Sequence, residues 1–204
     1  HAHFLEDRVR VHWGNASMLT AAMRLLEAAA ARGAYDYYVL LSGSDFPIKP
    51  VDAFERFLDA SGGRSFHAVR PALNWFEGRK RLRSHYRLEE RTRWGVAMQK
   101  LRFLQTYLGP WGGRTPPADF DVYYSGSTWF TVHRDVAHWM LECWARPSLR
   151  EYFSTVYCAD EIFVPTVVAN SPWPERHEHR SIRLLKWRGM ANPKVLGMDD
   201  LADI

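Results

Sequence analysis

The stretch YDYYVLLSGSDFPIKP, residues 35–50, constrains the fold more than any other segment. Its aromatic and β-branched run, Tyr37–Leu41, predicts a buried strand. Small and polar residues, Ser42–Asp45, follow directly, and prolines at positions 47 and 50 prevent a regular continuation. Ligand sites of open α/β sheets lie just outside the carboxyl ends of strands, so Asp45 can be a reactive group. It can equally be the acceptor of a turn, and this stretch alone leaves both interpretations open.

Strand and helix signals alternate along the rest of the chain. Apolar residues at helical spacing predict helices over residues 18–31, 51–60, 94–108, 134–144, 148–155 and 160–170. Short apolar runs predict strands over residues 8–13, 37–41, 65–69 and 181–187, with two more pieces within 122–132. This alternation predicts an α/β layer fold, and 204 residues suit one domain, residues 1–204.

The composition limits the classes of partner. A net charge of +4 suits an anionic ligand such as a nucleotide, but the basic residues do not form the stripe of a nucleic-acid-binding protein. No nucleic-acid partner is therefore expected. No apolar run approaches the ~18 residues of a membrane span, so no membrane-spanning segment is expected in this chain. Cys143 and Cys158 are too few and too far apart for a metal site or a disulfide framework, and leave only a single bridge open.

The segment Arg70–Arg93 is rich in arginine, interleaved with aromatic residues and with Glu77, Glu89 and Glu90. Mixed charges of this kind favour an exposed, ion-paired helical face. A loop that contacts an anion or a substrate is the minority interpretation.

Two adjacent carboxylates, Asp160 and Glu161, stand where a loop turns into an apolar helix. Neighbours on a helix point about a hundred degrees apart, so the two cannot face one partner. The structural interpretation makes Asp160 the N-cap and places Glu161 favourably in the helix dipole. The functional interpretation keeps that cap and directs Glu161 at a substrate hydroxyl as a general base. The two are compatible.

Two further patterns bear on ligand binding. The turn Ser125–Ser127, followed by Trp129, can line a pocket, although a hairpin turn with a core tryptophan is the preferred interpretation. A basic cluster on and after the last predicted strand can bind a diphosphate or form a charged surface strand; its members are Arg183, Lys186, Arg188 and Lys194. The DxD at Asp119–Asp121 is rejected as a metal site, because it follows a Pro-rich loop instead of an apolar strand.

Four segments occur in one order: YVLLSGSDFPIKP, SGSTWFTVHRD, ADEIFVPTVVANSP and SIRLLKWRGMANPKVLGMDDL. Together they resemble the core-2/I-branching β-1,6-N-acetylglucosaminyltransferase family, which includes peptide O-xylosyltransferases. The N-terminal VHWGNASML is similar to the family's VxWG(x)SM segment. The resemblance implies a GT-A-like α/β domain with a mixed central sheet flanked by helices. It also implies an inverting, metal-independent transfer of a sugar, GlcNAc in most members and xylose in others, from a UDP-sugar to a hydroxyl of a glycan or other acceptor. The UDP-sugar is a co-substrate, and no cofactor is expected.

The resemblance also assigns roles to residues. Glu161 matches the catalytic base. Ser44 and Asp45 belong to the family's SG-x-DFP turn near the acceptor, and Trp129 and Asp160 match positions at the substrate site. Arg183 matches, more loosely, the arginine that contacts the donor diphosphate, and Lys186 lies in the same basic cluster.

Two family motifs are missing from residues 1–204. The nucleotide-binding aspartate of an upstream VHxD strand and a basic residue of a downstream ARKF-like motif are expected outside them, so the chain is expected to be incomplete. The Ala- and Arg-rich composition suggests a bacterial, cytoplasmic protein, peripheral to the inner membrane; a eukaryotic member would be expected in the Golgi.

Three rival functions stay open. One is a sugar-binding module without catalysis, and another is a glycoside hydrolase using Asp45 and Glu161 as its carboxylate pair. An RNA-binding role is the least favoured.

Overall fold

A computed structural model describes residues 2–74, 76–86, 113–188 and 192–203, together with positions 97, 100, 101 and 104. The helices bounded in these residues are α1 (Ser17–Ala30), α2 (Val51–Ala60), α3 (Phe76–Arg83), α4 (Arg134–Ala145), α5 (Pro147–Phe153) and α6 (Asp160–Ala169). Short 3-10 turns cover Ala72–Asn74, Pro174–Arg176 and Met198–Asp203. The helix predicted over residues 94–108 lies largely outside the described residues.

The strands form one mixed sheet and two small ladders. They are β1 (Tyr37–Val39), β2 (Ser65–Phe66), β3 (Val69–Pro71), β4 (Tyr124–Gly126), β5 (Thr131–His133), β6 (His177–Glu178), β7 (Trp187–Arg188) and β8 (Asn192–Pro193). The main sheet has the order β1-β5-β2-β6, with β5 antiparallel to β1 and β2, and β2 parallel to β6. β3 pairs with β4 and β7 with β8. The predicted α/β class with a mixed sheet flanked by helices is confirmed.

Helix α6 lies at the centre of the core. All of its residues from Ile162 to Val168 are buried, and a helix that is apolar all round belongs inside a domain. Helices α1 and α4 pack against it, and α4 also contacts β5. The core therefore holds the backbone of the first turn of α6, which carries Asp160 and Glu161. None of the helices in the described part of the chain is long and apolar enough to cross a bilayer.

Two predicted strands are wrong. Residues 8–13 form no strand, since their backbone makes local bonds, such as that from the His12 amide to Ser17 Oγ at 2.9 Å. Of residues 181–187 only Trp187 joins a strand, and the Arg183 amide donates to Ser181 Oγ at 3.2 Å. Side-chain oxygens that bond nearby amides compete with sheet formation.

Candidate functional site

The candidate site begins at one edge of the main sheet. Because β1 and β5 are antiparallel, with Val39 opposite Thr131, the carboxyl end of β1 lies beside the amino end of β5. The Leu40 amide continues this pairing by donating to the Phe130 carbonyl at 3.1 Å. The turn Ser42–Asp45 therefore meets residues 127–130 at the same edge. Residues 127–130 are here called the bridging segment.

Asp45 closes the turn after β1. Its Oδ2 accepts from the Ser42 amide at 2.8 Å, and its own amide donates to the Ser42 carbonyl at 3.2 Å. The hydroxyl groups of Ser42 and Ser44 lie 3.1 Å apart within the turn. Asp45 is thus a turn acceptor. Its side chain stays 36% exposed, so contact with an acceptor substrate remains a prediction.

Arg183 joins this turn to the bridging segment. One terminal nitrogen donates to Asp45 Oδ2 at 3.0 Å, and the other donates to the carbonyls of Leu40 and, at 3.4 Å, of Phe130. Burial lowers the pKa of Arg183, although Asp45 opposes that shift. The side chain predicted to contact a diphosphate is therefore already bound to three protein oxygens.

Lys186 has a different environment. Its Nζ donates to Asp200 Oδ1 at 2.8 Å, and Lys194 donates to the same oxygen at 2.7 Å. These bonds, with one from the Gly197 amide at 2.9 Å, hold the pKa of Asp200 well below its usual range. Arg183 and Lys186 of the predicted basic cluster therefore bind different carboxylates, Asp45 and Asp200.

The bridging segment also contacts the first turn of α6. Thr128 Oγ1 donates to Asp160 Oδ2 through a short hydrogen bond. Asp160 is buried, which raises its pKa, while the bond from Thr128 acts in the opposite direction. The predicted N-cap role of Asp160 is wrong: Ala159 is the N-cap residue, and Asp160 is the first helical residue with its side chain turned to Thr128.

Glu161 forms an ion pair with Arg81 of α3. Arg81 Nη1 donates to Glu161 Oε2 at 2.6 Å, and the guanidinium also lies 5.4 Å from the centre of the Tyr157 ring. The Arg81 side chain is 15% exposed, whereas that of Glu161 is 41% exposed. Burial opposes the charge of Arg81, but Glu161 more than offsets it and the pKa of Arg81 rises. The carboxylate is held on one side and open to solvent on the other.

The turn before Glu161 rests on the N-terminal segment. The Cys158 amide donates to the Gly14 carbonyl at 3.0 Å, and Cys158 itself has a left-handed φ of 48°. A Cβ on Gly14 would lie 2.6 Å from the Tyr157 ring, and its φ of 77° also favours glycine. Trp13 meets Tyr157 edge-on at 5.9 Å. The VHWGN residues thus position the turn that leads into α6.

Hydrogen bonds of the bridging segment connect the surroundings of three predicted site residues, Asp45, Trp129 and Glu161. Trp129 lies between Thr128, bonded to Asp160, and Phe130, whose carbonyl accepts from Arg183. Neither of two other clefts is lined by Asp45, Trp129 or Glu161, although Leu40 and Phe130 line the second. One of about 310 Å³ lies between α4 and residues 172–173, and one of about 240 Å³ lies beside α1 and β1.

Sequence reasoning missed Arg81, Thr128 and His67. Part of the arginine-rich segment was interpreted as an exposed, ion-paired helical face; Lys80 pairs with Glu77 at 3.5 Å on this helix, whereas the ion-paired Arg81 is only 15% exposed. No local signal distinguishes Arg81 from the other arginines of the segment, because its contact with Glu161 joins residues 80 positions apart. Residues 87–93 of that segment lie outside the described residues.

The DxD and the two cysteines have other surroundings in the described residues. Asp119 of the DxD binds Ser148 Oγ at 3.0 Å and Arg146 at 3.5 Å. No group of three His, Cys, Asp or Glu side chains among the described residues could hold a metal ion. Cys143 and Cys158 are free and buried, and burial raises the pKa of each thiol to about 12.

Comparison with known proteins places this geometry in a family. The family model of the Core-2/I-Branching enzyme matches residues 1–202. Xylosyltransferase sqv-6 of Caenorhabditis elegans is 26% identical over 196 residues, which cover 91% of this chain and 22% of that protein. Xylosyltransferase 2 of Canis lupus familiaris and Xylosyltransferase oxt of Drosophila melanogaster are each 25% identical, over 86% of this chain and 19% of their own length.

The chain therefore spans about a fifth of the length of the curated relatives it matches. These relatives are animal proteins, so the comparison does not support the expected bacterial origin. The family match nevertheless extends over nearly the whole sequence and includes every segment that carries the candidate site. The chain belongs to the Core-2/I-Branching enzyme family.

Proposed function

We propose that this chain is the catalytic region of an inverting glycosyltransferase that transfers a sugar from a UDP-sugar to an acceptor hydroxyl. The observation that carries the proposal is Glu161. It stands in the first turn of a buried helix, is held by Arg81 at 2.6 Å, and remains 41% exposed. A general base needs a fixed position and access to the proton it removes.

In this proposal Glu161 removes the proton of the acceptor hydroxyl. The acceptor oxygen then attacks C1 of the donor sugar from the face opposite UDP, so the configuration inverts. Trp129 and Asp160 line the sugar side, and Ser44 and Asp45 line the acceptor side. The bond from Thr128 to Asp160 supports this arrangement, because it connects the helix of the base to the segment that carries Trp129.

The departing diphosphate is met by Arg183 and Lys186 without a metal ion. Among the described residues, the Arg183 guanidinium donates to Asp45, Leu40 and Phe130. These three bonds leave two of its five N–H groups for an anion. Preorganised charge of this kind is commonly the largest catalytic contribution.

Xylose is the donor sugar that the relatives favour, because their names describe xylosyltransferases. GlcNAc, the sugar named in the wider family resemblance, is the alternative. The two differ by the hydroxymethyl and acetamido groups, so a donor panel with UDP-xylose and UDP-GlcNAc separates them by UDP release.

The decisive experiment replaces the base. Glu161→Gln should lower transfer by about a hundredfold or more, which is the usual size of a general-base contribution, with UDP affinity unchanged. Glu142→Gln, an exposed carboxylate on α4, is the control and should keep full activity. A Glu161→Gln protein that keeps more than a tenth of wild-type transfer would exclude Glu161 as the base.

A sugar-binding module without catalysis is the second candidate. It is favoured by one observation: both Glu161 and Asp45 are engaged by arginines. Thermal stabilisation by a UDP-sugar, with no UDP release for any acceptor, would select it over the enzyme.

A further inference from the structure

His67 follows β2 and is almost fully buried, with 1% of its surface exposed. Its Nε2 lies 2.7 Å from the carbonyl oxygen of Ser127. A carbonyl can only accept, so Nε2 carries the proton and the neutral ring has its acceptor at Nδ1. That Nδ1 is buried without a hydrogen-bond partner among the described residues.

The ring has little freedom to move. The His67 amide donates to the Glu178 carbonyl at 3.1 Å, and the His67 carbonyl accepts from His177 Nε2 at 2.8 Å. Gly126 packs closely above it. A Cβ at position 126 would lie 3.2 Å from His67 Cε1 and 2.5 Å from the Ala68 carbonyl.

Ser127, which His67 binds, begins the bridging segment. Arg183 binds the other end of that segment at the Phe130 carbonyl. Between these two anchors lie Thr128, bonded to Asp160, and Trp129, whose amide donates to Ser127 Oγ at 3.1 Å. The hydrogen bond from His67 to Ser127 therefore fixes the backbone that carries the Thr128 and Trp129 side chains.

We propose that His67 is a positioning residue that holds the Ser127–Phe130 backbone so that Trp129 and Asp160 face the donor sugar. The proposal rests on the glycosyltransferase function proposed above. His67 touches no substrate itself. A displacement of about 1 Å at a reacting centre can cost roughly a hundredfold in rate, so a single anchor of this kind has a large effect.

The energetic cost of burying this histidine supports its role as a positioning residue. A buried acceptor left unsatisfied, as Nδ1 is, destabilises the folded protein. An apolar ring would fill the same volume without that cost but would offer no donor to Ser127. Burial also lowers the pKa of His67 to about 4, so the ring stays neutral near neutral pH.

The test compares three variants of the full-length protein. His67→Phe keeps a ring and removes the donor, while His67→Gln restores a donor near the position of Nε2. Ser65→Ala is the control: Ser65 lies two residues earlier, is 1% exposed, and its Oγ accepts from the His133 amide at 3.0 Å, away from the bridging segment. The measurements are kcat and KM for UDP release, the Kd for UDP, and amide hydrogen exchange of residues 127–130.

We expect His67→Phe to lower kcat at least about tenfold with the Kd for UDP within about twofold, and His67→Gln to recover most of that loss. Exchange of residues 127–130 should be faster in His67→Phe than in Ser65→Ala. Unchanged kcat and exchange in His67→Phe would overturn the proposal. If the wild type releases no UDP but exchange still rises in His67→Phe, the positioning role stands and the proposed function fails. If His67→Phe does not fold, His67→Asn is judged by the same criteria.

Discussion

Two arginine–carboxylate pairs lie on either side of the bridging segment, and they differ in what they connect. Arg81 and Glu161 join two helices, α3 and the central helix α6, at 2.6 Å. Arg183 and Asp45 join two irregular segments at 3.0 Å. The exposed fractions are similar, 15% and 41% in the first pair against 20% and 36% in the second.

Burial therefore does not distinguish the pairs, but their other contacts do. Asp45 also accepts from the Ser42 amide, and Arg183 also binds two main-chain carbonyls, so this pair stabilises local backbone. Glu161 makes no recorded hydrogen bond through its side chain within the described residues except to Arg81. We infer that the helix pair holds Glu161 for the reaction, and that the loop pair fixes the shape of the edge from which Arg183 would reach a diphosphate. Four predictions test this contrast.

The largest effect is expected at Arg81. Arg81→Met removes the group that orients Glu161, and hydrogen bonds to charged groups are worth about 1.5–3 kcal/mol, so kcat should fall by roughly tenfold to a hundredfold. Arg79→Met, an exposed arginine on the same helix, is the control and should leave kcat unchanged. Steady-state UDP release measures both. Equal activities in the two variants would remove the functional distinction between the pairs.

The next effect is expected at Arg183. Lysine cannot reproduce the fork that reaches Asp45 and two carbonyls, so Arg183→Lys should lower the free energy of unfolding by about 1–3 kcal/mol. Urea unfolding measures this, with the exposed Arg180→Lys as control. The Kd for UDP should also rise by about tenfold, because one hydrogen bond from Arg183 to the charged diphosphate is lost. If only stability changes, Arg183 holds the edge and does not contact the diphosphate.

The third prediction concerns pH and the histidine that anchors the segment between the pairs. Burial lowers the pKa of His67 to about 4 in the folded protein, below its ordinary value of 6.5, so the unfolded chain binds the proton more readily between these values. Stability should therefore fall as the pH falls through this window, by about 2 kcal/mol from His67 alone between pH 7.5 and 5. Urea unfolding at both pH values should show a smaller difference in His67→Gln. If the stability difference between the two pH values is the same in His67→Gln as in the wild type, groups other than His67 cause it.

The smallest effect is expected at Asp200, beyond the loop pair. Asp200→Asn removes the carboxylate that binds Lys186 and Lys194. If Lys186 meets a diphosphate, UDP should bind about threefold more tightly, a modest effect because both lysines are partly exposed and solvent screens their charge. Isothermal titration calorimetry measures this, with Asp199→Asn as the neighbouring control. Weaker binding in Asp200→Asn would instead mean that the carboxylate orients the lysines for the nucleotide.

Much of the helical framework could be predicted from the sequence. Helix α2 was predicted over residues 51–60 and covers Val51–Ala60, and the helices predicted at 134, 148 and 160 begin within one residue of those positions. These segments carry periodic or continuous apolar residues, and local periodicity is sufficient to identify them. The strand before Asp45 was likewise predicted, over residues 37–41, because small residues follow it, and it covers Tyr37–Val39 in the structure.

The predicted strands at residues 8–13 and 181–187 failed for a local reason. Their alternating residues offered a strand pattern, but a strand also needs a neighbour to pair with. Nearby hydroxyls of Ser17 and Ser181 take backbone amides instead. The residues around each segment do not show whether its backbone amides will pair with a neighbouring strand or with a nearby hydroxyl in the folded chain.

By itself the sequence determined the α/β class, the apolar helix that begins at Asp160, the position of Glu161 on its first turn, and the family. These depend on residue periodicity and on short motifs. The tertiary structure alone decided that Arg81 pairs with Glu161, that Arg183 binds Asp45, and that His67 supports Ser127. Each of these contacts joins residues at least 60 positions apart, and only the packing of α3, β2 and the C-terminal segment around the sheet edge brings their atoms within hydrogen-bond distance.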